Sequence, residues 1–287
     1  YYAFILVLMK GVKRRMSHKY FDALVLDIDG TAVRSDKSVD PRTIAAIEYL
    51  HQLGVKVFLA SGRPPKGVFP VAETLGLSAH GGYILAFNGA RIVNLQTGET
   101  FRNRTIPPET VLELWREANH RQLGCMIYGD GEIISNGEPD VYMQSESDLS
   151  NTPLTLRRGD NLELPAKVFQ TVLTGDPSTL EELATLLAPR YKGKADIFHS
   201  EPGYLECTSW GNDKAEGIKE LFQMLDISLE RAICVGDSYN DIPMIRQAGV
   251  GVAMQNAPKG VKAFADYVTD RSADDGGIAE VVEEFFA

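Results

Sequence analysis

Ala23-Leu24-Val25-Leu26-Asp27-Ile28-Asp29-Gly30-Thr31 runs from an unbroken apolar stretch straight into two acids and a glycine. An apolar run without polar alternation suits a strand covered on both faces, as in parallel sheets. The residues downstream agree. Asp40-Pro41 offers a helix N-cap and a first-turn proline. Ile44, Ile47, Leu50 and Leu53 then recur mostly at helical spacing, and Gly54 supplies a stop. Val55 to Ala60 reads as a second strand ending at Ser61-Gly62-Arg63, and Tyr83 to Phe87 as a third ending at Asn88-Gly89. Short apolar runs alternating with helical segments predict an α/β fold with a doubly wound, Rossmann-like parallel-sheet core.

The pattern changes after about Arg91. Turn-rich stretches such as Tyr128-Gly129-Asp130-Gly131 and Asn136-Gly137-Glu138-Pro139 separate strand-like runs (Cys125 to Tyr128, Val168 to Leu173) from helix-like ones (Glu109 to His120, Thr179 to Leu187). This predicts an inserted α+β unit. The parallel pattern is expected to resume with Tyr204 to Thr208, a helix from Lys214 to Leu225 and a strand from Ala232 to Val235. The expected division is therefore residues 1–18 as an N-terminal extension outside the fold, 19–91 and 201–287 as the core, and 92–200 as the insert.

With 29 basic and 39 acidic residues the chain carries a formal charge of −10, which argues against a nucleic-acid partner. A small phosphorylated metabolite needs only one or two local cations. Cys125, Cys207 and Cys234 are far apart and form no CxxC pair, so they read as reduced thiols and point to a cytoplasmic protein. Tyr1 to Met9 is apolar and is followed by Lys10, Lys13, Arg14 and Arg15. A bilayer span takes roughly 20 apolar residues, and a secretory signal carries its charges first. No stable membrane association is expected.

Ligands of open parallel sheets bind outside the carboxyl ends of the strands. There the sequence places Asp27, Asp29, Ser61, Gly62 and Asn88, followed later by Gly236-Asp237-Ser238-Tyr239-Asn240-Asp241, while Lys214 opens a helix. Two like charges 4 Å apart repel by about 4 kcal/mol at an effective dielectric near 20. Asp27, Asp29, Asp237 and Asp241 together therefore call for a cation beyond Lys214. The donors are oxygens with no histidine near these strand ends, which favours Mg²⁺. The set suits phosphoryl transfer. Asp27 at the strand tip is the candidate nucleophile. Asp29 is the candidate general acid and base, with an expected raised pKa. The Ser61 hydroxyl and Gly62 amide would donate to phosphoryl oxygens, and Lys214 would act on them as a point charge. Arg63 reads equally as a substrate contact or a surface ion pair. Asn88 reads as a substrate-facing group or a turn residue, Asn256 as a turn residue, and Trp115 and Trp210 as packing residues.

Asp27-Ile-Asp-Gly-Thr, Ser61 after an apolar strand, Lys214, and Gly236-Asp-Ser-Tyr-Asn-Asp resemble, in order, the four motifs of the haloacid dehalogenase superfamily. Their spacing is similar to that of its Cof-type phosphatases, in which a large α/β cap lies between the second and third motifs. Asn88-Gly89-Ala90 and Val252-Ala-Met-Gln-Asn-Ala257 resemble that subfamily too. The resemblance implies hydrolysis of small phosphate monoesters, such as sugar phosphates, through an aspartyl-phosphate on Asp27. It implies Mg²⁺ held by the carboxylates of Asp27 and Asp237 and the backbone carbonyl of Asp29, with Asp241 supporting through water. It also sets Ser61, Gly62, Lys214, Asn240 and the Ile28 amide around the phosphate. Ala215 after Lys214 and Gln255 before Asn256 depart from the subfamily's usual glycines. A phosphomutase, or a non-catalytic protein that binds phosphometabolites, would fit the same motifs.

Overall fold

The structure, a computed structural model, describes residues 21–287. The expected extension over residues 1–18 lies outside them. The first sheet begins with β1 (Ala23–Leu26), β2 (Lys56–Ala60), β3 (Tyr83–Ala86), β4 (Arg91–Asn94) and β5 (Thr100–Asn103). A second sheet takes β6 (Gly124–Tyr128), β7 (Ile133–Ser135), β8 (Leu154–Leu156), β9 (Gln170–Thr174), β10 (Ala195–Glu201) and β11 (Tyr204–Ser209). β12 (Ala232–Gly236), β13 (Val250–Ala253) and β14 (Tyr267–Val268) complete the first, in the order β14-β13-β12-β1-β2-β3-β4-β5. Its strands are parallel from β14 to β3, and β4 and β5 add an antiparallel edge. The α-helices are α1 (Pro41–Leu53), α2 (Pro65–Thr74), α3 (Pro108–Arg121), α4 (Val141–Ser150), α5 (Pro177–Tyr191), α6 (Lys214–Leu225), α7 (Ile242–Gln247), α8 (Lys259–Lys262) and α9 (Gly277–Phe285).

β1 lies in the middle because every one of its side chains is apolar and must be covered. Leu24 and Leu26 pack with Ile47 and Leu50 of α1 and with Ile278 and Val281 of α9. Ala23 and Val25 pack on the other face with Ile218, Leu221 and Phe222 of α6. Asp40 caps α1 by accepting from the Arg42 N–H at 2.7 Å, and Gly54 ends it in the left-handed region. Chain order reverses between β1 and β12, which creates the crevice where ligands of such sheets bind.

Two strand readings are corrected. Tyr204 to Thr208 does not resume the parallel sheet; it is most of β11, antiparallel to β9 and β10. Leu205 and Cys207 pack under α3 and α5, whereas Glu206 faces the opposite way. That period of two with one polar face is the mark of an antiparallel strand. The first sheet also continues past Arg91 through the β4–β5 hairpin. We propose moving the division between core and insert to follow Asn103 and Ser209.

One face of the second sheet is closed by α3 and α5, through Leu114, Trp115, Leu180 and Leu183. Its other face meets the first sheet, where Phe87 stacks on Phe169 at 5.0 Å. Trp115 is buried and donates to the Gly159 carbonyl at 2.7 Å, but Trp210 is exposed and is no core residue. The three cysteines are buried and free, and burial pushes each thiol's pKa up. No described helix is long and apolar enough to cross a membrane.

Candidate active site

Asp27 leaves the tip of β1, and Lys214 opens α6 beneath it. The Lys214 ammonium is buried and donates to the Asp27 carboxylate at 2.5 Å and to Asp241 at 2.6 Å. Asp241 is fully buried, and its second oxygen accepts the backbone N–H groups of Asp237 and Ser238 at 2.9 Å each. This capping box locks the turn after β12. Asp237 accepts from the Thr31 hydroxyl at 3.1 Å and from the Asn256 amide at 3.2 Å. Gly30 has φ +74°, and a Cβ there would overlap the Asp237 carboxylate, so the turn after Asp29 admits no side chain.

Carboxylate oxygens of Asp27, Asp237 and Asp241 lie within 4.8 Å of one another. Burial, with repulsion from Asp241, raises the pKa of Asp27 well above the carboxylate range, although Lys214 opposes it. Burial and Asp241 likewise lift Asp237 to about 6, against the Thr31 hydroxyl. Burial works against the charge on Lys214, but Asp241 and Asp27 outweigh it and raise its pKa. The cluster thus has more negative charge than one ammonium can neutralise, and its donors are all oxygens. That donor set fits a hard divalent cation.

Asp29 departs from expectation. Burial would raise its pKa, but Arg63 and Lys37 prevail and lower it, so the carboxyl is held ionised. Arg63 grips it with two nitrogens at 2.7 and 2.5 Å, and Lys37 donates at 2.9 Å. Of the two readings of Arg63, the ion pair is the one seen, but it lies in the cavity wall with Asp29 and not on the outer surface. Lys37 went unnoticed in the sequence because nothing local ties it to Asp29; it reaches back from a left-handed turn residue at φ 67°.

Ser61 and Asn88 are buried and face the same cavity as Gly62. Asn88 accepts from the Asn240 amide at 3.0 Å, which joins the β3 and β12 loops across the crevice. The Asn88 backbone also holds a turn: Phe87 and Asn88 both have positive φ. The Ile28 side chain is buried in the core, leaving only its backbone to serve a ligand. Asn256 is more than a turn residue, since it bridges Gly30 and Asp237. Asp27, Asp29, Ser61, Asn88, Lys214 and Asp237 form the floor of a cavity of about 750 Å³ between the two sheets. Its roof comes from α4, β9, β10 and β11, through residues such as Glu146, Gln170, Ser200, Tyr204 and Glu206.

An acid-rich rim at the switch point of a parallel sheet, roofed by an inserted second sheet, is the ligand site of a capped, doubly wound α/β protein. A family model described as haloacid dehalogenase-like hydrolase matches residues 24–282, and the chain belongs to that family. It is similar to the solved structure of a haloacid dehalogenase-like hydrolase from Bacteroides thetaiotaomicron, with 34% identity, a TM-score of 0.85 and coverage of 93% of this chain and 100% of that one. A sugar phosphatase of haloacid dehalogenase subclass IIB has a TM-score of 0.79 at 28% identity, covering 92% and 98% of the two chains. A Bacillus subtilis relative, 5-amino-6-(5-phospho-D-ribitylamino)uracil phosphatase, is 26% identical over 253 residues, 88% of this chain and 91% of its own. The chain is an enzyme of the phosphatase type.

Proposed function

We propose that the enzyme hydrolyses small phosphate monoesters with Mg²⁺, through an aspartyl-phosphate on Asp27. The observation that carries this reading is the Lys214 ammonium shared between Asp27 and Asp241, with the Asp237 carboxylate beside them at the floor of the cavity. Asp27 and Asp237, with the carbonyl of Asp29, would hold the metal and Asp241 would support it through water; the metal would supply positive charge to the phosphoryl oxygens. The Asp27 carboxylate attacks phosphorus while Lys214, Ser61 and the Gly62 amide bind the equatorial oxygens. Asn240 orients the phosphate from the side of Asn88.

Asp29 protonates the leaving oxygen and later takes a proton from the attacking water. Its ion pairs with Arg63 and Lys37 describe the resting enzyme. An incoming phosphate dianion competes for both cations, and their release returns Asp29 toward a protonatable state. The insert excludes bulk water from the acyl phosphate until the leaving group has gone. The neighbouring structure named as a sugar phosphatase and the relative named for a ribitylamino substrate support a small, hydroxyl-bearing leaving group.

A phosphate-release screen over phosphorylated metabolites, in EDTA and in Mg²⁺, tests the proposal. Turnover should appear only with the metal. Mg²⁺ should also raise the melting temperature, because saturation at 100 times Kd adds about 2.7 kcal/mol, and Asp237→Asn should erase most of that rise. Equal turnover in chelator would remove the metal from the scheme. Transfer of phosphate to a second sugar without release would make the enzyme a mutase.

A further inference from the structure

The cavity has two chemically unlike walls. Lys37, Arg63 and Lys214 line the floor, each already paired with an aspartate. Among the described residues lining the roof there is no lysine or arginine. Instead, Glu206 projects from β11 with Glu146 from α4. The Gln170 amide donates to Glu206 at 2.6 Å, and the buried Tyr128 hydroxyl donates to Glu146 at 2.8 Å. His199 is hydrogen-bonded through Nδ1 to the Tyr204 carbonyl at 3.0 Å, and its Nε2 lies 3.3 Å from Glu181 without a hydrogen bond.

We infer that Glu206, steadied by Gln170, accepts hydrogen bonds from hydroxyls of an uncharged, polyhydroxylated leaving group, and that this acid wall turns away substrates bearing a second anion. The inference rests on the phosphatase reading of the floor and adds what the roof selects. Burial lifts the Glu206 pKa to about 7, with Ser200 and Gln170 pulling it down and Glu146 pushing it up. An acid kept at a cost in a cavity wall, where a neutral residue would pack without penalty, points to a ligand. A carboxylate discriminates by two routes. It has acceptor capacity beyond its bond from Gln170, which a substrate lacking a hydroxyl leaves unused, and it repels a carboxylate or phosphate brought beside it. A cavity of about 750 Å³ has room for a six-carbon polyol phosphate.

The test compares sorbitol 6-phosphate with ethyl phosphate, and fructose 6-phosphate with fructose 1,6-bisphosphate, in wild type and Glu206→Gln. The wild-type enzyme should prefer sorbitol 6-phosphate over ethyl phosphate, and the monophosphate over the bisphosphate, each by at least tenfold in kcat/KM. Glu206→Gln should shrink both ratios about tenfold, mainly through KM. The same pairs are measured by calorimetric binding in the Asp27→Asn background, which needs no turnover. Lost phosphate release with binding ratios still set by Glu206 would sink the phosphatase reading and leave this one standing. Ratios unmoved by Glu206→Gln, in turnover or in binding, would overturn the inference, as would a wild type indifferent to the second phosphate.

Discussion

Three carboxylates crowd around one ammonium on the floor of the cavity, whereas on the roof Glu146 and Glu206 stand among amides and hydroxyls. The floor hangs from rigid strand ends, and its chemistry is the part common to every phosphate ester. The roof hangs from α4 and from one face of the antiparallel strands β9, β10 and β11, where alternate side chains can change without disturbing the strand. Charge excess on the floor binds what reacts, and charge excess on the roof selects what departs. The two halves should therefore respond differently to mutation: the floor in kcat and in folding stability, the roof in the ratio between substrates.

The largest effect is expected at Asp27. Asp27→Asn keeps shape and hydrogen-bonding reach but removes the attacking oxyanion, so turnover of any phosphate ester should fall by about a thousandfold or more. The circular dichroism spectrum should stay native. Retention of more than a few per cent of wild-type kcat would move the nucleophile elsewhere and break the division between floor and roof.

Lys214→Met comes next. The substitution leaves Asp27 and Asp241 buried without their shared cation. Removing one partner from a buried ion pair costs about 3–5 kcal/mol, read as a lower urea midpoint at unchanged slope. Mg²⁺ should recover part of the loss, because it offers the same carboxylates another positive charge. A variant as stable as wild type would mean that the acids simply take up protons, and that the ammonium is there for substrate alone.

How far each half could be read from the sequence follows from how it is built. Asp27 to Thr31 and Gly236 to Asp241 put their chemistry in contiguous residues at strand ends, and the structure brings those residues together around Lys214. The strand and cap of α1 were equally plain, because Asp40, Pro41 and Gly54 act locally. The state of Asp29 was misjudged because its partners are tertiary: repulsion among acids predicts a raised pKa, but Arg63 and Lys37 arrive from two other turns. The roof was hidden for a similar reason. Glu146, Gln170 and Glu206 lie on three elements with no motif linking them. The one available signal was the alternation of Leu205, Glu206 and Cys207, which marks a strand with one polar face. Reading that run as a buried parallel strand put Glu206 in the wrong sheet.

The smallest effect sharpens the comparison most, because it opposes stability to selectivity in one residue. Glu206 has an ordinary pKa of 4.5 and is raised to about 7 in the fold. The folded state then holds the proton more tightly than the unfolded one, so its contribution is complete below about pH 4.5. It is lost as pH rises through 7. At about 1.4 kcal/mol per pKa unit the loss is at most about 3.5 kcal/mol. Glutamine keeps the shape and cannot ionise. Glu206→Gln should therefore match wild type in urea unfolding at pH 5 and exceed it at pH 8, in the same preparation that loses its preference for the polyol phosphate. If the variant is less stable than wild type at both pH values, Glu206 is a structural acceptor for Gln170 and Ser200, and the roof carries no strain on behalf of the substrate.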